Sequence, residues 1–323
     1  MHSGASRERL SDSLPPRQFG RTELKVTPLC LGCAVLSSMP GAFGYEVAED
    51  QAVATVRAAL DSPLRFLDTA GGYGEGESER RIGLALRERG GLPAGYVLST
   101  KVSRDSRSGR FDGDQVRRSI ERSLRLLGFE RLQVVFLHDP EHTPFERVVG
   151  PGGPLEALLR LKADGVIGHV GVAGGALDLM ARYVELGAFE ALITHNRYTL
   201  LNRAAGPLID LAVGRGMAVL NAAPYGGGML AKGPEAFERY AYRTAADRVA
   251  ERARRMSAIC QEYQAPLAAA ALQFSLRDPR ITSTIVGMSR PERIAQTLAL
   301  ARHPIPDEIW PRLDAVGFDA DDL

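Results

Sequence analysis

Residues 111–140 read FDGDQVRRSIERSLRLLGFERLQVVFLHDP, and the change of period inside this stretch decides the fold. Apolar residues recur at helical spacing from Asp112 to Leu127, then run together from Leu132 to His138 as a short buried strand. The same alternation extends in both directions. Leu29 to Cys33, Arg65 to Asp68, Tyr96 to Lys101, Val166 to Val172, Ala191 to Thr194, Met217 to Asn221 and Ile281 to Gly287 are the other predicted strands. Helical periodicity fills the intervals, over Glu49 to Asp61, Ser78 to Arg89, Leu155 to Asp164, Leu177 to Leu186, Ala204 to Arg215, Ala246 to Gln264 and Arg290 to Ala301. Gly or Pro marks most of the joints.

Eight strand–helix units predict a (β/α)8 TIM barrel, because parallel strands need crossover helices and eight of them close the sheet. An open doubly wound sheet would usually carry G-x-G-x-x-G after its first strand, and this sequence has none there. Ahead of the first barrel strand, Arg17 to Val26 reads as an N-terminal β-hairpin turning at Gly20-Arg21, placed to plug the barrel bottom. Two segments exceed the barrel: Ala265 to Arg277, an extra helix, and Ala231 to Ala245, with Phe237, Tyr240 and Tyr242, either a lid over a pocket or a surface loop, the lid being preferred. The domain reading is a loose leader over 1–16 and one barrel over 17–323.

Composition narrows the class of function. Of 323 residues, 45% are hydrophobic and 24% charged, the balance of a globular protein. Forty basic against thirty-nine acidic residues leave a net charge of +1, with no global field for nucleic acid or an anionic membrane. No stretch approaches a membrane-spanning helix and the first sixteen residues contain no apolar signal core, so the expectation is a cytoplasmic protein. Cys30 and Cys33 form a C-x-x-C but lie on a strand, where residues three apart face opposite sides, which favours packing over redox chemistry. His138 and His142 are four apart, yet Pro140 and Pro144 exclude the helix that would make them a metal pair. His169 reads as a packed strand residue, Trp310 as packing beside Leu313, and Arg248, Arg252, Arg254 and Arg255, interleaved with Asp247 and Glu251, as a solvated helix face.

Barrel enzymes carry their chemistry at the C-terminal strand ends and the loops that follow. Asp68 ends the second strand, Tyr73 follows on Gly71-Gly72-Tyr73-Gly74, Lys101 ends the third strand and His138 the fourth. With neighbouring strands about 4.8 Å apart, these side chains can converge. Together they form a proton-transfer device. A cation beside Tyr73 would favour its phenolate, Lys101 supplies it, Asp68 keeps Lys101 charged and in place, and His138 orients a substrate oxygen. Tyr73 then gives or takes the proton as hydride moves.

These residues resemble those of the aldo-keto reductases, a family of hairpin-closed (β/α)8 barrels that use an Asp, Tyr, Lys, His tetrad to interconvert carbonyls and alcohols with a nicotinamide cofactor. The resemblance runs from Arg17 through nearly the whole chain and includes Asp68-Thr69-Ala70-x-x-Tyr73-Gly74, Lys101, His138, Gly171-Val172 and Gly287-Met288-Ser289. Leu137-His138-Asp139-Pro140, Arg197-Tyr198-Thr199-Leu200-Leu201 and Asn221-Ala222-Ala223-Pro224-Tyr225 look most like its aldose, L-fucose-type and pyridoxal dehydrogenase branch. The resemblance implies cofactor contacts at Gly32, Cys33, Ala173, His195, Asn221, Ala223, Pro224, Tyr225, Gly226, Gly227, Ser289, Arg293, Gln296 and Thr297. The chain departs from the family where Ala173-Gly174 replaces Ser-Asn, His195 a Gln, and Ala222 a Tyr that stacks on the nicotinamide. Gly226-Gly227-Gly228 would admit a pyrophosphate, although a glycine triplet alone is more often a plain turn, and Ser289 with Arg290 opens a helix suited to an anion. Met288 stands where NADP users often have Lys, which favours NAD, while Arg290 and Arg293 keep NADP open.

The resulting expectation is a dehydrogenase acting on a sugar or similar hydroxylated compound with NAD or NADP. An NADPH-dependent aldehyde or ketone reductase is the alternative, and a regulatory nucleotide-binding subunit is the reading from another class, disfavoured by the intact tetrad. Expected partners are a small carbonyl or sugar substrate, with no nucleic acid and no membrane; oligomeric state is left open.

Overall fold

A computed structural model describes residues 14–241 and 243–318. The opening stretch shows how its elements arise. The Asp112 carboxylate accepts the Gln115 N–H at 3.0 Å, satisfying an orphan donor at the helix start, and Gly128 ends the helix with φ 78°. Between them Val116, Ile120, Ser123 and Leu127 form the buried stripe. The strand that follows, Leu132–His138, buries all its residues except Gln133 and His138, which are partly exposed.

The strands are β1 (Arg17–Gln18), β2 (Lys25–Val26), β3 (Leu29–Gly32), β4 (Phe66–Asp68), β5 (Val97–Val102), β6 (Leu132–His138), β7 (Ile167–Ala173), β8 (Ala191–His195), β9 (Ala218–Ala222), β10 (Arg239–Tyr240), β11 (Arg243–Thr244) and β12 (Ser283–Gly287). The helices are α1 (Pro40–Phe43), α2 (Glu49–Leu60), α3 (Glu77–Arg89), α4 (Gly113–Leu127), α5 (Phe145–Val149), α6 (Pro154–Ala163), α7 (Leu177–Glu185), α8 (Gly206–Gly214), α9 (Met229–Lys232), α10 (Asp247–Glu262), α11 (Leu267–Leu276), α12 (Pro291–Arg302) and α13 (Ile309–Ala315). Strands β12-β3-β4-β5-β6-β7-β8-β9 close a parallel barrel, the (β/α)8 architecture expected from the sequence.

Strand alternation divides the core in two. Inward residues, among them Cys30, Phe66, Val134, Phe136, Ile193 and Leu220, fill the lumen; outward ones, such as Leu31, Leu67, Leu98, Val135 and Val172, pack against the helices. Cys30 and Cys33 fall in different layers, buried and unbonded, so this C-x-x-C is a packing feature. The hairpin β1–β2 stoppers the lower end: Phe19 and Val26 join the lumen cluster and Phe19 meets Phe66 edge-on at 6.1 Å. Gly20 is required at its tip, with φ +56° and no room for a Cβ, which would lie 2.5 Å from the Ala218 nitrogen.

The outlying segments differ more from expectation. The 231–245 segment holds a two-residue antiparallel hairpin, β10–β11, which has too few residues to show a period. Tyr240 is buried and Phe237 packs on the same secondary cluster, formed by α9, α10, α11 and α13, so this segment is anchored; Tyr242 lies outside the described residues. Trp310 belongs to that cluster with Leu313, under the Arg277 guanidinium at 4.3 Å. The polar face of α10 carries Arg254, paired with Glu235 and Glu251. His169 sits low on β7 between Glu23 and Glu190. The eighth barrel strand begins at Ser283, two residues later than expected. Among the described residues, no helix is long and apolar enough to cross a membrane.

Candidate active site

Strands β4, β5 and β6 are neighbours, and their registers pair Asp68 with Ser99 and Lys101 with Phe136. Ser99, Lys101 and Phe136 alternate on one face, so the Asp68 and Lys101 side chains meet at the upper end of the lumen. Lys101 Nζ donates to Asp68 Oδ2 at 2.6 Å, to the Thr69 carbonyl at 2.7 Å and to Tyr73 Oη at 3.3 Å. An ammonium has three N–H bonds, and this one uses all three. The second Asp68 oxygen accepts Ser99 Oγ–H at 2.7 Å, so both ions are satisfied although both are almost wholly buried. Tyr73 comes from the loop after β4, whose close packing on β5 is set by Gly71 N–H donating to the Lys101 carbonyl. His138 ends β6 with its ring edge-on to Tyr73, centroids 5.7 Å apart. The four tetrad candidates thus assemble at one place.

Their electrostatics correct one expectation. Burial disfavours the Lys101 charge, but Asp68 and Tyr73 outweigh it and hold Lys101 above the ordinary lysine value. For Tyr73 the balance goes the other way: burial pushes the phenol up to about 12, and Lys101 only partly offsets it. The nearby cation therefore does not make Tyr73 a phenolate at neutral pH. Burial, then Lys101, drive His138 well below the ordinary histidine range, so the ring is neutral.

Going round the barrel, the remaining arc is β7, β8, β9, β12 and β3, and it carries the candidate cofactor residues. Ala173 ends β7 in the lumen cluster, His195 ends β8 with Asn196 Nδ2 at 3.3 Å from its Nδ1, and Gly32 ends β3 in register with Asp68. Ala223 has φ +56°, Pro224 is buried, and Tyr225 is partly exposed with a buried hydroxyl that has no partner among the described residues. Gly226 and Gly227 both have positive φ. Ser289 precedes α12 and its carbonyl accepts Gln51 Nε2 at 2.8 Å; Arg293 and Gln296 are exposed on α12, and Thr297 is buried.

Two of these residues do not join the group through their side chains. Asn221 lies on the outward face between Leu220 and Ala222, and its amide donates to the Tyr198 carbonyl and to Ser275 Oγ, both at 2.8 Å. The Cys33 side chain is buried among outer-layer residues. The glycine triplet also has a packing reason: a Cβ on Gly226 would lie 2.1 Å from the Tyr240 ring, and one on Gly228 2.9 Å from Phe237.

The arc fits a dinucleotide on two counts. The N-terminus of the 12-residue α12 has no side-chain cap at Arg290, so its backbone N–H groups suit an anion, with Arg293 one turn on. Deeper in, Asn196 Oδ1 is buried beside His195 without a partner among the described residues, an acceptor that suits an amide. Among the described residues no cluster of His, Cys, Asp and Glu could hold a metal ion. Ser99 and Ser103, which support Asp68 and His138, were not singled out from the sequence, although alternation with Lys101 puts both on its face.

Fold and site together define an oxidoreductase barrel, and comparison with known proteins gives its family. Residues 28–317 match the aldo/keto reductase family model, and the chain belongs to that family. It is 31% identical to pyridoxal 4-dehydrogenase of Microbacterium luteolum, over 94% of this chain and 97% of that protein. It is 31% identical to D-threo-aldose 1-dehydrogenase of a Pseudomonas species, over 83% and 88% respectively. An aldo-keto reductase of Bacillus halodurans in its holo form superposes with TM-score 0.76 at 21% identity, covering 95% of this chain and 97% of that one, a likeness of fold. The protein is an oxidoreductase enzyme, and aldo-keto reductases use NAD(P)(H).

Proposed function

We propose that this chain is an NAD(P)-dependent dehydrogenase that oxidises a sugar at its hemiacetal carbon, or a related small alcohol, with NAD preferred to NADP. The observation that carries this reading is the buried chain from Asp68 through Lys101 to Tyr73 Oη, set beside the neutral His138. Similarity to enzymes named for aldose and pyridoxal oxidation supports the substrate class. The nicotinamide, when bound, exchanges hydride with the substrate carbon. Tyr73 holds or receives the proton on the oxygen of that carbon, Lys101 stabilises the phenolate left after donation, Asp68 keeps Lys101 charged and fixed, and His138 orients the oxygen. Met288 is buried and brings no charge toward a 2′-phosphate, which supports NAD; Ser289, Arg293, Gln296 and Thr297 would lie around the adenosine.

One observation favours the opposite direction: with burial raising Tyr73 to about 12, the hydroxyl carries its proton at neutral pH, as a carbonyl reductase needs. Initial rates with NAD and NADP against L-fucose, D-arabinose, L-galactose and pyridoxal, and with NADPH against simple aldehydes, separate the two. Oxidation of one sugar with NAD supports the first reading; activity confined to aldehydes with NADPH replaces it. Tyr73→Phe should cut turnover about 10³-fold while leaving cofactor fluorescence titration unchanged, and retained turnover would sink the proton-transfer assignment.

A further inference from the structure

His138 has a neighbour on each ring nitrogen. Ser103, the first residue beyond β5, places Oγ 2.8 Å from His138 Nδ1. On the other side, Asp139 Oδ2 lies 3.6 Å from Nε2. Asp139 is held there by an unusual backbone, φ +45°, with its N–H donating to the Ala173 carbonyl at 2.8 Å. The Ser103 hydroxyl also abuts the loop that carries Tyr73, since a Cβ on Gly72 would sit 3.1 Å from it.

A neutral imidazole has one N–H to place on one of two nitrogens. With the hydrogen on Nδ1, the bare Nε2 lone pair would face the Asp139 carboxylate, like against like. With the hydrogen on Nε2, that carboxylate is attracted at 3.6 Å without forming a hydrogen bond, so the N–H stays free for an incoming oxygen, and Nδ1 becomes an acceptor that needs a donor. Serine is the residue for this position, because its hydroxyl can rotate to donate, and among the described residues Oγ has no other hydrogen-bond partner. The other titratable groups facing the ring are Lys101, His195, Glu141 and His142; burial first, then Lys101, keep it uncharged.

We propose that Ser103 is a positioning residue that fixes His138 as the Nε2–H tautomer, so that His138 meets the reacting oxygen as a hydrogen-bond donor. The inference rests on the reading of His138 given under Proposed function. A donor in that position holds a carbonyl oxygen and strengthens its hold as charge develops there, whereas a bare nitrogen would repel it.

The test uses the full chain with 15N-labelled histidine, the His138 signals being assigned by their loss in His138→Gln. Expected are an unprotonated Nδ1 and a protonated Nε2 in the unmodified protein, a shift toward mixed tautomers in Ser103→Ala, and a return in Ser103→Thr. Turnover should fall about tenfold in Ser103→Ala, the worth of one hydrogen bond and a freed ring, with NADH affinity unchanged, and recover in Ser103→Thr. A protonated Nδ1 in the unmodified protein, or an unchanged tautomer in Ser103→Ala, overturns the proposal. A tautomer that shifts while turnover stays put upholds the role of Ser103 on the ring and overturns that of His138 in the reaction, so the two failures are distinguishable.

Discussion

Lys101 offers three N–H bonds to a buried site, and Asp68, Thr69 and Tyr73 accept them all. Such a pair is costly to break from one side only. Lys101→Met should destabilise the fold by about 3–5 kcal/mol by leaving Asp68 uncompensated, and the double variant with Asp68→Asn should recover part of the loss; denaturant unfolding measures both. On the proposed mechanism the tyrosine sets the pH dependence. Its hydroxyl is pushed up to about 12, so reduction, which uses the proton already in place, should be flat across the neutral range. Oxidation needs the phenolate, whose share rises about tenfold per pH unit below the pKa, so kcat/KM for oxidation should climb with pH. Parallel initial-rate profiles in the two directions decide this, and a flat oxidation profile would remove Tyr73 as the base. At this scale the tetrad was legible in the sequence, because strand-end position and side-chain chemistry are both local. The net shift of Tyr73 was not, because it is a contest between burial and Lys101 that only the packed site settles.

The Gly226-Gly227-Gly228 turn shows what one element cannot reveal alone. Read by itself it is a plain turn that would also admit a pyrophosphate, and in the fold Gly226 and Gly228 make room for Tyr240 and Phe237 from the segment carrying the β10–β11 hairpin. Tyr240 Oη in turn meets Thr199 Oγ1 at 2.9 Å, fastening that segment to the loop after β8. Gly226→Ala adds a methyl group where the ring lies and strains a positive φ, so it should cost about 1–3 kcal/mol in stability. Tyr240→Ala in the same chain should restore part of that, as measured by urea unfolding. Full loss in the double variant would show the strain to be in the backbone alone. The β10–β11 hairpin escaped notice because two-residue strands have no period, whereas the 15 residues of α4, with Asp112 and Gly128 at its ends, repeat their signal over four turns.

Across the whole molecule the two ends of the barrel have different work. The upper rim gathers the proposed catalytic groups, while the lower end is closed by the β1–β2 hairpin and by an ionic cluster in which Glu190 accepts Lys162 Nζ at 2.6 Å, His169 Nδ1 at 3.0 Å and the Val170 N–H at 3.1 Å. Burial alone would raise Glu190, but these partners outweigh it and hold the carboxyl below the ordinary glutamate value. A depressed acid contributes stability above its unfolded pKa, near 4.3, and loses that contribution as pH falls through the folded value. Glu190→Gln should therefore cost about 2 kcal/mol at pH 7, and the gap from the unmodified protein should begin to narrow only once the pH falls below about 4.3 and close below the folded value. Kinetic constants should be unaffected, and unfolding curves at pH 7 and in a series of steps downward from about pH 4.3 test the difference. Eight strand–helix repeats, the stoppering hairpin and the strand-end tetrad were all readable from residue order, because period, turn chemistry and strand-end position are properties of neighbours in the chain. Which face of β9 Asn221 takes, what fills the space beside the glycines, and the closeness of Ser103 and Asp139 to His138 were decided only by the closed barrel, because they depend on register and on packing between residues distant in sequence.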